Sequence, residues 1–463
     1  MIRKFYATKD NTITNAFEEN LVTRGTGSNM GASDILEVFS IYSQANSSSI
    51  EKSRVLIEFD ISDRSGIPDS GVSWYLKMFN APHSQTVPRN FTMAVQAVSQ
   101  SWEEGYGIDM DFYEDLTNDK EGSNWIQARQ SSSLDNGQWT TQGGDYHASP
   151  VFTDDFTTGL EDLEVDVTTL VDEWIAGTKE NYGFGVMLSG SYEDGSLERS
   201  FFRKKFFGRD TEFHFQKPVL EARWDSARKD DRGYFYASSS LAPASDNLNT
   251  IYLYNRIRGR LRDIPVAPTS ASLRATPTGA NLVSESVSRV STGIYKASLS
   301  LETAASTLYD VWYSGSTAYH TGTISVNSFA GYGYNPEDIY VLSMPGLKKE
   351  YKKNQTHRLN LYVREKNWSP NIYTQAVRSS IPSLIIPSAS FQLRRSIDDL
   401  VVVPYGTGST LHTGLSYDVS GNYFDLDTTY LEAGYLYDVQ YSFYDEENGW
   451  EEQPYRFKFR VVD

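Results

Sequence analysis

The chain has no cysteine among its 463 residues. Disulfide staples, thiolate catalysis and Cys-ligated zinc are therefore excluded. Histidine is scarce. The six residues, at 83, 147, 214, 320, 357 and 412, are never within helical or short-loop reach of one another. A zinc-hydrolase pattern needs such neighbours. Long apolar runs are also missing, and nothing approaches the roughly 18 residues of a spanning helix. The first ten residues, Met1 to Asp10, carry no apolar core of signal-peptide length. The expectation is synthesis in a cytoplasm, with no membrane as partner. Phosphate loops fare no better. Gly406-Thr407-Gly408-Ser409-Thr410 lacks the lysine such a loop requires, and no Gly-x-Ser-x-Gly elbow stands in a strand–turn–helix context. Basic charge is outnumbered, 42 Lys+Arg against 60 Asp+Glu, for a net −18. That balance favours solubility and argues against nucleic acid as the main partner.

Aromatic residues are plentiful at 14%, with 31 tyrosines. Tyrosine suits half-buried sheet faces, where the ring packs and the hydroxyl stays wet. Alternating patterns dominate the first half. Arg54 to Ile61, Val72 to Phe79 and Phe91 to Val98 each read as strands. One short helix is expected: Asp166 caps it, Val167, Leu170, Val171 and Trp174 form one face, and Gly177 stops it. Strands resume at Tyr182 to Leu188 and at Pro218 to Trp224. Later strands include Thr250 to Ile257, Leu308 to Tyr313, Leu359 to Glu365, Phe391 to Arg395, Leu400 to Tyr405, Tyr435 to Phe443 and Tyr455 to Val462. Asp445-Glu446-Glu447-Asn448-Gly449 reads as a hairpin turn.

At roughly 100–200 residues per domain, this length suggests about three domains. The expected fold is all-β. A first β-domain is expected over residues 1–225, with a long polar insert at about 103–161. A connector at 226–265 leads to an immunoglobulin-like sandwich at 266–332 and a further C-terminal β-domain at 333–463.

Three constellations could carry function. Asp109, Asp111, Glu114 and Asp115 form the densest acidic cluster. It reads as a solvated loop or as a calcium site built from oxygen ligands, without the EF-hand's later Gly and terminal Glu. No cofactor is expected, with calcium at this cluster the one possibility. Trp102, Trp125 and Trp139 fall in the insert region. They either plug the sandwich mouth or offer a stacking platform for a glycan. The run from Arg199 to Arg209 sets Arg199, Arg203, Lys204, Lys205 and Arg209 among phenylalanines that include Phe206. It reads as a charge-protected edge strand or as a docking surface for an acidic partner.

Two resemblances follow. Residues 54–61 with Ile67-Pro68, Ser101-Trp102, Val165 to Trp174, Asn181 to Gly185 and Lys217 to Trp224 resemble the DNRLRE-type β-sandwich related to carbohydrate-binding modules. The resemblance implies a jelly roll, while the long insert departs from the family's compact pattern, so sugar binding is not carried over. The C-terminal phrases Leu361 to Pro370, Asp398 to Leu400, Tyr405 to Ser409, Leu415 to Asp427 and Glu452 to Phe459 are similar to virion structural proteins of tailed, T4-like cyanophages. This second resemblance implies a non-catalytic neck, collar, tail-surface or head-decorating subunit located in the virion. Its partners would be other virion subunits, in a symmetric homo-oligomer. A glycan- or receptor-binding module on the virion surface is the alternative. A glycoside hydrolase or lyase is the least favoured; a hydrolase needs two carboxylates facing one cleft.

Overall fold

The computed structural model describes residues 1–42, 44–46, 48–84, 87–108, 122–130, 136–194, 196, 201–239, 241–243, 247–303, 305–327, 340–366, 383–445 and 447–463. The chain is nearly all β and divides into two compact units. One comprises Ile2–Trp224; the other comprises Asp225–Asp463 together with Met1.

The first unit holds ten strands: β1 (Ile2–Thr14), β2 (Ile35–Tyr42), β3 (Ile50–Phe59), β4 (Val72–Met78), β5 (Phe91–Val98), β6 (Tyr146–Phe156), β7 (Leu163–Asp166), β8 (Phe184–Leu188), β9 (Phe201–Phe207) and β10 (Val219–Trp224). They pair in the order β6-β5-β8-β3-β1-β10-β4-β7, with β2 bridging β3 to β9. β1 joins two halves of the sheet. Residues 2–6 pair with β10 and, after a register shift at Ala7/Lys9, residues 9–14 pair with β3. A bulge of this kind bends a strand and lets a sheet close on itself. Period-2 burial follows from that closure: Trp74, Leu76 and Met78 of β4 all point inward. The insert is structured where described, since β6 lies within it and pairs with β5.

The expected helix is α1 (Thr168–Ile175). Leu170, Val171 and Trp174 are its buried residues. The Asp166 carboxylate accepts the Thr168 backbone N–H at 3.0 Å. Gly177, at φ +70°, takes the left-handed conformation that ends it.

The second unit contains two sandwiches. In the first, Phe235–Tyr236, Thr317–Asn327, Thr307–Ser314, Ser270–Arg274 and Asn281–Ser286 form one sheet. Asn249–Tyr254, Ile294–Leu299 and Ser288–Ser291 form the other. Phe235, Ile251, Leu253, Leu273, Tyr295, Leu308 and Trp312 share its core. The 226–265 stretch is therefore not a connector. It supplies strands to both sheets, because the apolar alternation of Ile251 and Leu253 buries only against the later strands. In the second sandwich, the sheet of Tyr340–Ser343, Thr356–Glu365, Gly421–Asp427 and Ser416–Asp418 is one layer. The sheet built on Phe457–Val462, Leu436–Asp445, Ala389–Arg395 and Leu400–Val403 is the other. Phe391 and Phe424 stack between the layers at 4.0 Å.

Candidate functional site

The cation-rich run is built into the first unit. β9 pairs with β2 along one side, and its other side is covered by residues 79–81 through the Asn80↔Phe206 bridge. Alternation turns Lys204 and Phe206 inward, and both are fully buried. The Lys204 ammonium donates to Asn80 Oδ1 (2.6 Å), Gly159 O (3.0 Å) and Glu161 O (2.7 Å). It also sits 5.1 Å from the ring centroids of Phe156 and Phe206. Burial lowers its pKa to about 8, with Asp162 and Glu161 opposing the fall. Arg203 pairs with Glu37, and Lys205 lies 3.9 Å from the same carboxylate. Arg209 forks onto Glu104 at 3.0 and 3.1 Å. Lys204 and Phe206 are thereby withdrawn from any docking surface, while Arg203, Lys205 and Arg209 are half-buried and pair within their own unit. Arg199 lies outside the described residues.

The three tryptophans share one core cluster with Ile13, Leu56, Val98 and Ala128. Their exposures are 2% for Trp102, 6% for Trp125 and 5% for Trp139. Trp102 Nε1 donates to Tyr182 O and Trp139 Nε1 to Asn124 O. A glycan platform needs an open ring face, and these faces are spent on packing. The glycan-facing reading of these indoles is thus corrected: the insert folds over β1 and β3 and seals them in.

Asp109, Asp111, Glu114 and Asp115 lie outside the described residues. The residues flanking that segment are described. Asn29 Nδ2 donates to Glu104 O and Ser123 O, and its Oδ1 accepts the Gly107 N–H. Asn11 Nδ2 donates to Ser123 O and Oγ. Gly105 and Gly122 pass so close to Asn29 that a Cβ on either would lie 2.4–2.7 Å from its side chain. Asp10 Oδ2 accepts the Arg209 N–H at 2.5 Å, and the Asp10 N–H donates to Glu104 Oε1. Burial pushes the Asp10 carboxyl up to about 7; the Arg209 N–H opposes this rise and Glu104 adds to it. Among the described residues, no group of three or more His, Cys, Asp or Glu side chains is arranged to hold a metal ion. Sequence reasoning missed this polar network. Its signal was Asp10-Asn11-Thr12 inside an otherwise regular strand, three polar residues where a turn would be expected.

A cleft of about 730 Å³ opens in the second unit, lined by Tyr234, Tyr236, Tyr417, Lys229, Asp231 and Leu248 among others. Tyr417 donates to Asp231 Oδ1 at 2.6 Å, and the Thr250 N–H donates to Oδ2. Tyr234 and Tyr236 meet edge to face at 4.9 Å. Here aromatic rings and polar groups do face an opening. None of these residues was singled out in the sequence, because they are brought together from segments nearly 190 residues apart.

No family model matches the chain, and no curated protein matches it in sequence. Among solved structures, Escherichia coli alpha-2-macroglobulin activated by porcine elastase is similar at 11% identity and TM-score 0.18, over 51% of this chain and 20% of that one. Yersinia pseudotuberculosis adhesin InvE is similar at 12% identity and TM-score 0.16, over 50% of this chain and 56% of that one. A Salmonella alpha-2-macroglobulin mutant aligns with 99% of this chain and 26% of its own, at 8% identity and TM-score 0.16. The chain thus spans from a fifth to just over half of these proteins. None of the scores reaches the level at which two chains share a fold.

Proposed function

We propose that the chain is a non-catalytic structural subunit of a phage virion, working through contacts with other virion subunits. The observation that carries this reading is how its polar chemistry is used. Lys204, Arg209–Glu104, Arg223–Glu221 and Arg232–Asp310 all pair inside their own units. Groups committed this way specify rigid modules and leave little chemistry poised for a substrate. The C-terminal resemblance to tailed-phage structural proteins supports the particle, and the acidic balance suits an exposed surface. Mass spectrometry and electron microscopy of purified particles test it. The subunit is expected at fixed stoichiometry in a symmetric layer; absence from purified virions overturns the proposal.

A second reading, glycan binding on the particle surface, is favoured by one observation: the tyrosine cleft of the second unit. Aromatic faces beside hydrogen-bonding groups suit sugar CH and OH groups. A glycan array with the full chain and a Tyr234→Ala variant tests it. Wild-type signal lost in the variant supports the reading, and a blank wild-type array removes it.

A further inference from the structure

Two hairpins of the second unit carry opposite charge that no ion pair answers among the described residues. The first pairs Arg256–Ile257 with Arg260–Leu261. Its turn residues, Arg258 at φ +52° and Gly259 at φ +78°, are both left-handed. That is the two-residue turn that matches strand twist, and it holds the ribbon firmly. Arg256, Arg258, Arg260 and Arg262 are all exposed. Among the described residues, no carboxylate lies within ion-pair range of any of them. The adjacent Asp263 does not serve them, because Arg289 and the Gly293 N–H occupy it. Alternation places Arg260 and Arg262 on one face with Ile257, which is 53% exposed.

The second hairpin folds Leu436–Asp445 back onto Gly449–Glu452. It presents Asp445, Glu447, Glu451 and Glu452, the last three exposed. Among the described residues, no Lys or Arg pairs with any of the four. Among the described residues, Asp445 accepts from Asn448, and Glu452 from Gln440 and Tyr405. Tyr444 and Trp450, paired across the strands, meet at 5.5 Å, and Tyr444 is 48% exposed.

From these two surfaces we infer that the arginine hairpin of one copy docks on the acidic hairpin of a second copy of this chain. Guanidinium forks match carboxylates two bonds at a time and stack on aromatic rings. Ile257 supplies an apolar centre for the Tyr444–Trp450 pair, and an apolar centre rimmed by Arg is the composition of a protein interface. A polyanion is the weaker occupant, since it would answer only the arginine hairpin and leave the acidic one unmatched, whereas a second copy answers both. Because the two surfaces differ, the contact is heterologous, and repetition builds a ring or a filament. This inference rests on the assembly reading above and names the partner it needs.

Sedimentation velocity of the full chain tests it. The average mass is expected to rise with protein concentration and to fall as salt goes from about 50 to about 500 mM, where the Debye length shrinks to a few ångströms. Arg258→Glu with Arg260→Glu is expected to weaken association at least about tenfold. Glu447→Lys with Glu451→Lys should do the same. A mixture of the two variants should associate again, since each then offers the charge the other lacks. The proposal is overturned by a wild type that stays monomeric, by association indifferent to both charge reversals, or by a mixture that does not recover. Retention on heparin or DNA without self-association also overturns it, in favour of a polyanion. A monomeric chain that is still found in purified virions would remove this contact and leave the structural role standing.

Discussion

Arg232 grips Asp310 with both prongs of its guanidinium, Nη1 to Oδ1 at 2.6 Å and Nη2 to Oδ2 at 2.8 Å. Asp310 is wholly buried, and Trp312 Nε1 donates to its Oδ2 at 2.7 Å. Gly322 leaves the space, since a Cβ there would lie 2.5 Å from Asp310 Oδ1. The carboxylate is thus satisfied by three donors from two segments far apart in sequence. Removing one partner strands a buried charge, which costs roughly 3–5 kcal/mol. Arg232→Ala is expected to lower the unfolding free energy of the second unit by that amount, read as a lower urea midpoint. Asp310→Leu with Arg232→Met should cost less than the two single changes combined. Equilibrium denaturation of all three variants checks both statements.

Glu221 sets the acid limit of the first unit. It is 1% exposed and lies 2.6 Å from Arg223 Nη2 and 3.1 Å from Lys4 Nζ. Burial alone would raise its pKa, but Lys4, Lys77 and Arg223 outweigh it and hold it at about 2. A carboxyl depressed on folding stabilises the native state fully above its unfolded value of 4.5. That contribution is lost as pH falls from 4.5 towards 2. Melting temperature against pH should therefore drop through this window, and Glu221→Gln should flatten the drop while lowering stability at neutral pH.

Asp10 works in the opposite sense. Its folded pKa of about 7 lies above the ordinary 3.8, so the native state holds a proton that the unfolded chain releases. Stability from this group is present below 3.8 and is lost as pH rises from 3.8 to 7. Asp10→Asn should remove that slope from the first unit. Asp230, raised to about 6 mainly by burial, has the same sign in the second unit. It gives an internal comparison when each unit's unfolding is followed by hydrogen exchange.

Local patterns were readable and long-range closures were not. α1 was legible because Leu170, Val171 and Trp174 recur at helical spacing ahead of a glycine stop, although Val167 rather than Asp166 stands at its N-cap. β3, β4 and β5 were legible from alternation, whereas β1, β2 and β6 were not singled out. The tryptophans show the limit. Their ring faces are closed by an insert that folds back onto β1 and β3, and periodicity carries no record of such a contact. The 226–265 segment looked like a connector because its strands are short and its partners lie 40 to 91 residues further on. The arginine hairpin was read only as the end of a strand, although four arginines around Gly259 spell a charged turn.

Lys204 is the clearest case of a charged residue whose role sequence inverts. A lysine in a Phe-rich strand suggests an exposed edge gatekeeper. Here its Nζ is the shared donor for Asn80 Oδ1 and for two carbonyls of the loop at residues 159–161. Lys204→Met keeps the apolar stem and the contacts with Phe156 and Phe206 but removes all three hydrogen bonds. Each buried acceptor left unpaired costs about 1–3 kcal/mol, partly relieved if water enters. The loss is expected to be roughly 2–4 kcal/mol at pH 7. The sign of its pH dependence separates charge from packing. A lysine lowered to about 8 on folding makes the native state bind fewer protons than the unfolded chain between 8 and 10.5. Wild-type stability should therefore gain a rising contribution across that alkaline window, and Lys204→Met should lack it. Urea midpoints for both proteins at pH 7 and across the alkaline window decide the matter. Parallel curves would mean that the ammonium is not the buried group described here.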